Sequence, residues 1–157
     1  MVKETLAVDI IEYSPQHQGV FKVMNLEWLE FYNLTDTHDL IVLNDPQSTI
    51  IDKGGVIYLA VYDDQIVGSA GLMRKKEGVY ELAKMTVIPS HQGKGISKIL
   101  LEKCVRKAKE LNAEKLILFS NHQLTKAISL YEKYGFQHVP VTDSPFETAD
   151  VRMERFL

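Results

Sequence analysis

With 157 residues, 45% of them hydrophobic and 25% charged, the chain has the size and balance of one globular domain spanning 1–157, which excludes disordered and fibrous classes. A net charge of −3 argues against nucleic-acid binding, because gripping a phosphate backbone needs a basic face. The single cysteine, Cys104, excludes an internal disulfide and suits a reducing compartment. The first ten residues lack the apolar core of a signal peptide, and no run nears the roughly 18 apolar residues of a membrane span; a cytoplasmic protein with no membrane partner is expected.

In chain order, Leu6 to Tyr13 reads as a first strand stopped by Ser14-Pro15. Ser14 as N-cap and Pro15 at the first helical position open a helix in which Val20, Phe21, Met24, Trp28, Phe31 and Tyr32 recur near helical spacing. Asp36 to Leu43 and Pro46 to Asp52 read as short helical pieces, broken by Gly54-Gly55. Val56 to Tyr62 and Ile66 to Met73, joined by Asp63-Asp64-Gln65, carry a hairpin signal, and Val79 to Val87 is a fourth strand. Residues 96 to 111 give an amphipathic helix: Ile96, Ile99, Leu100, Cys104, Ala108 and Leu111 form its inner face, so Cys104 is expected to be an inert core thiol. Lys115 to Ser120 reads as a buried strand and Leu124 to Tyr134 as a helix ended by Gly135. Phe136 to Val141 and Ala149 to Phe156 read as a closing strand pair.

The junction between the fourth strand and the long helix carries the first chemical signal. A strand that turns through Gly93-Lys94-Gly95 into a helix aims several unpaired N–H groups and the positive end of the helix dipole at one spot, which suits a phosphate. A dinucleotide fingerprint is excluded, since Lys98 stands where its third glycine belongs, and no P-loop pattern can be aligned. Gln92-Gly93-Lys94-Gly95-Ile96-Ser97 resembles instead the Q/R-x-x-G-x-G/A signature of the GNAT superfamily of acyl-CoA-dependent N-acetyltransferases. Ala127 through Leu130-Tyr131, Lys133, Gly135 and Phe136 is similar to that superfamily's A-x-x-L-Y-x-K-x-G-F pattern. Two departures stand out: Ser97 replaces the usual small residue, and Leu124 occupies a position where many members carry asparagine. Whether Asn121, three residues earlier, substitutes is left open.

The resemblance implies an α/β fold with a mixed, mostly antiparallel twisted sheet flanked by helices. It implies acetyl-CoA as co-substrate, held by main-chain N–H groups from Gln92, Gly93, Lys94, Gly95, Ile96 and Ser97, with its pantetheine arm along Met85, Thr86 and Val87 and with Asn121 as a further candidate. Tyr131 stands at the position of the family's general acid; a neutral phenol can give a proton to a departing thiolate. Glu81 is the candidate general base. Strand alternation puts it on one face with Ala83, Met85 and Val87. The expected activity is direct transfer of acetyl to a primary amine, on a small molecule, peptide or protein, through a ternary complex. A coenzyme-A-binding sensor without turnover is the alternative, and homodimerisation, common in the superfamily, stays open. His17, His38, His91, His122 and His138 show no metal-ligand spacing, so no metal is expected.

Overall fold

The structure, a computed structural model, describes residues 7–157. Seven strands form one sheet in the order β1-β2-β3-β4-β5-β7-β6: β1 Val8–Glu12, β2 Val56–Tyr62, β3 Gln65–Lys76, β4 Val79–Val87, β5 Lys115–Ser120, β6 Gln137–Val139 and β7 Val151–Phe156. All neighbouring pairs are antiparallel except β4 with β5, which run parallel. The helices are α1 Gln18–Phe31, α2 Thr37–Asn44, α3 Ile96–Glu110 and α4 Thr125–Lys133. Leu6, expected to open the first strand, lies outside the described residues. The expected helix from Ser14 begins as a 3-10 turn over Pro15–His17, and the piece after Pro46 is a π-helical turn over Gln47–Ile51.

The sheet is apolar on both faces because helices cover both. In β2, Val56, Tyr58 and Ala60 join the cluster under α3 and α4, while Ile57 and Leu59 join the cluster under α1 and α2. An unbroken apolar run is what a strand buried on two sides requires. Leu100, Leu101, Cys104 and Ala108 of α3 are fully buried on the first face; Phe21, Leu43 and Ile50 are fully buried on the second. Each such leucine or phenylalanine contributes on the order of 2 kcal/mol by leaving water.

Two features of β4 shape everything beyond this. Its ladder with β5 covers only Val79, Tyr80 and Glu81, opposite Lys115, Leu116 and Ile117. From Leu82 to Val87 the strands have parted. The register with β3 also slips between Ser69 and Gly71, where Lys84 adopts a left-handed φ of 53°. That bulge corrects the alternation expected from sequence: Ala83 packs toward α1 and α2 beside Glu81, but Met85 and Val87 pack toward α3. A single extra residue reverses every side chain after it.

Candidate active site

The bulge at Lys84 is held from behind by buried hydrogen bonds. Ser69 Oγ donates to the Lys84 carbonyl at 2.7 Å, Asn25 Nδ2 donates to Ser69 Oγ at 3.2 Å and to the Phe21 carbonyl at 3.0 Å, and Trp28 Nε1 donates to Asn25 Oδ1 at 3.2 Å. Asn25 and Ser69 are wholly buried, and full satisfaction is what makes polar groups tolerable there. Backbone in the left-handed region costs a non-glycine residue about 1 kcal/mol or more, and this chain fixes Lys84 in it. The consequence is that the Lys84 ammonium swings toward α2, where it pairs with the Asp39 carboxylate and lies 5.2 Å from the centre of the Phe146 ring.

Where β4 leaves β5 a cleft opens, with about 490 Å³ of empty space continuous with solvent, lined on its apolar side by Trp28, Leu29, Leu34, Phe119, Leu124 and Phe146. Asp39, Glu81, Lys84, Ser120, Asn121 and Thr148 supply its polar lining. Glu81 is 1% exposed. Its Oε1 lies 3.3 Å from Lys75 Nζ, without the alignment of a hydrogen bond, and is otherwise unpartnered. Burial pushes the Glu81 carboxyl above its ordinary value, with Lys75 and Lys84 opposing and Asp39 adding to the rise. His38, on α2, meets the edge of Phe146 at 4.8 Å; burial, then Lys84 and Lys75, lower its pKa.

The glycine turn sits at the far end of β4. Gly93 and Gly95 both hold φ of 79°, Gly95 caps α3, and nothing lies within 4 Å of a Cβ built on either. The chain's own demand for glycine here is therefore conformational. Gln92, though exposed, folds back on the strand end, its Nε2 donating to the Val87 carbonyl at 2.9 Å. Ile96 is 1% exposed, so it can offer a ligand only its N–H. Lys94 Nζ lies 4.9 Å over the Tyr62 ring, which also meets His91 edge-on at 5.2 Å. The parted, main-chain-rich edge of β4 and this open N-terminus together fit an elongated ligand ending in phosphate.

The expected site residues fall into three groups. Met85, Thr86 and Val87 run along the parted edge into the Gln92 to Ser97 turn, and Glu81 and Asn121 line the cleft. Tyr131 is not among the cleft-lining residues: it lies in the core on the α3 face, 5.9 Å from Phe136 in an edge contact, with burial raising its hydroxyl pKa. The Asn121 amide is spent inside the protein, Nδ2 donating to the Thr148 carbonyl at 3.0 Å and Oδ1 accepting from Gln123 N at 3.0 Å. Leu124, expected as the first residue of the helix, instead precedes α4, packs with the α1 and α2 cluster and lines the cleft. Asp39, Lys84, Phe119 and Thr148 escaped sequence reasoning. One signal was available: a lysine inside the apolar run Leu-Ala-Lys-Met-Thr-Val of a strand otherwise buried.

The comparisons with known proteins agree with this geometry. An uncharacterized N-acetyltransferase of Bacillus subtilis, YvbK, is 30% identical over 105 residues, covering 65% of this chain and 68% of that protein. The Escherichia coli uncharacterized N-acetyltransferase YjgM is 32% identical over 89 residues, covering 55% of this chain but about half, 53%, of its own length. Among solved structures, a GNAT-family acetyltransferase of Staphylococcus aureus superposes with a TM-score of 0.89 at 26% identity, covering 96% of this chain and 99% of that one. The PaiA N-acetyltransferase of Thermoplasma acidophilum, solved in complex with coenzyme A, has the same fold at a TM-score of 0.75 and 17% identity, over 96% and 99% of the two chains. With the model of the acetyltransferase (GNAT) family matching residues 20–136, three quarters of its length, the chain belongs to that family.

Proposed function

We propose that the protein transfers the acetyl group of acetyl-CoA directly to a primary amine bound in the cleft beside Glu81. The observation that carries this reading is the parting of β4 from β5 after Glu81, which joins a phosphate-suited turn to a half-apolar cavity. Acetyl-CoA supplies the acetyl group as an activated thioester. The N–H groups of Gln92 to Ser97 bind its diphosphate, and the free edge of Met85 to Val87 orients its arm. The buried Glu81 carboxylate, whose Oε1 has only Lys75 Nζ beside it at 3.3 Å, takes the proton that the amine nitrogen loses. Its raised pKa brings the carboxylate closer to the working pH and makes it a stronger base than an exposed glutamate.

The proton for the departing sulfur is assigned to the Tyr131 hydroxyl, which burial keeps protonated. Direct transfer, with no acetyl-enzyme, is favoured because Cys104 is fully buried and its thiol is pushed up to about 12. One observation favours the alternative of a coenzyme-A-binding module without turnover: Tyr131 lies outside the cleft lining. Calorimetry with acetyl-CoA, followed by thiol release against a panel of amines, tests both readings. Micromolar binding with amine-dependent thiol release is expected. Binding with no release from any amine leaves the sensor, and no heat at millimolar ligand removes both.

Among the described residues no helix is long and apolar enough to cross a membrane, and the proposed setting is the cytoplasm.

A further inference from the structure

We infer that the acceptor is a zwitterion of the amino-acid type with an apolar side chain, its carboxylate held by Lys84 and its amine by Glu81. This rests on the acetyl-transfer reading and narrows its acceptor. Lys84 and Glu81 lie three residues apart on β4 and line one cavity because the bulge turns Lys84 onto the face that Glu81 already occupies. Asp39 is committed within the protein. Its Oδ1 accepts from Lys84, and its Oδ2 accepts from the Asp36 N–H at 3.2 Å as part of the cap of α2. Lys84 uses one of its three N–H donors on Asp39; among the described residues the other two have no hydrogen-bond partner. They belong to a lysine that is only 7% exposed, where an incoming carboxylate would meet little competition from water.

The Glu81 carboxylate is the complementary acceptor, almost wholly buried, with Lys75 Nζ 3.3 Å from its Oε1 and no other partner there. An ammonium or amine N–H is the group that satisfies it. A polyamine or aminoglycoside fits poorly, since it would bring several positive charges against Lys84 and Lys75 with Asp39 already spent. The rest of the lining, Trp28, Leu29, Phe119 and Phe146, suits an apolar or aromatic side chain.

The test separates recognition from turnover. Protein saturated with coenzyme A is titrated by calorimetry with L-phenylalanine, L-phenylalaninamide and phenethylamine, and the same amines are assayed with acetyl-CoA for thiol release. The acid should bind at least about tenfold more tightly than the amide, a difference set by one charge-assisted contact. Lys84→Met should bring the two within about twofold while coenzyme A affinity stays unchanged. Because that variant strands a buried Asp39 and can fail to fold, Lys84→Met with Asp39→Asn repeats the measurement in a neutral pair. Equal binding of acid and amide, or tighter binding of spermidine than of any amino acid, overturns the inference. Acid-selective binding that Lys84→Met abolishes sustains it, even if no amine releases thiol, an outcome that removes only the transfer reading.

Discussion

The two ends of the open stretch of β4 are built by different means. At the α3 end the groups offered to a ligand are main-chain N–H groups, set by two glycines at φ 79° and a helix terminus, all within six consecutive residues. At the cleft end they are side chains: Asp39, Glu81, Lys84 and Phe146 come from α2, β4 and the segment before β7. Lys84 and Asp39 are 45 residues apart. A backbone site can be copied with any side chains between its glycines, whereas a side-chain site can be re-cut one residue at a time. A main-chain end held constant beside a side-chain end free to vary is the arrangement this division allows.

The sharpest way to break the comparison is at the backbone end. Gly95→Leu imposes a left-handed conformation on a branched residue and covers the α3 terminus; acetyl-CoA affinity should fall at least about a hundredfold by calorimetry. A fall no greater than that of Lys94→Ala would show that side-chain charge carries the binding instead.

Next in size are the groups proposed to move protons. Glu81→Gln should lower turnover by about a hundredfold with acetyl-CoA affinity intact. It also changes the pH dependence of folding. The native Glu81 holds its proton to higher pH than the unfolded chain does, so its contribution is complete below the ordinary glutamate value of about 4.3 and is lost as pH rises through the raised native value. Thermal melts of wild type and Glu81→Gln should therefore match near the acid end and separate in favour of the variant as pH rises across that window. Parallel curves would mean that the carboxylate is as well solvated in the fold as outside it. Tyr131→Phe should reduce turnover about tenfold or more with unchanged acetyl-CoA affinity; full turnover would leave the phenol with a packing role only.

The smallest effect sharpens the cleft end. Asn25→Ala removes the middle of the chain from Trp28 to Ser69 and should cost about 2 kcal/mol by chemical denaturation, through buried donors and acceptors left unpaired. The loosened bulge should also raise KM for the amine more than it changes acetyl-CoA affinity. Equal changes in both would mean that the network supports the whole sheet rather than Lys84.

What was legible in the sequence follows the same division. The strands β4 and β5 and the start of α3 were set by local pattern: apolar-rich runs, broken in β4 only by Glu81, Lys84 and Thr86, and glycine before an amphipathic repeat. The segments Tyr32 to Asp39 and Thr142 to Phe146 contribute Leu34, Asp39 and Phe146 to the cleft. Their partners were not legible. The bulge at Lys84 depends on Ser69 and Asn25, residues that nothing in their own neighbourhoods marks as a network. Strand alternation thus held up to Ala83 and failed after it. The final strands were read as a pair, which they are, but β7 also lies between β5 and β6, a placement that sequence order gives no reason to expect.

That placement governs how the molecule can be made. Residues 151–156 fill a slot inside the sheet, hydrogen-bonded on one side to β5 along its whole length and on the other to β6. While a ribosome is still translating the segment before Val151, β5 has no neighbour on that side and exposes a raw, apolar strand margin to whatever is nearby. The half of the sheet that bounds the cleft can close only once Val151 to Phe156 has left the ribosome, so β5 keeps an open margin until then.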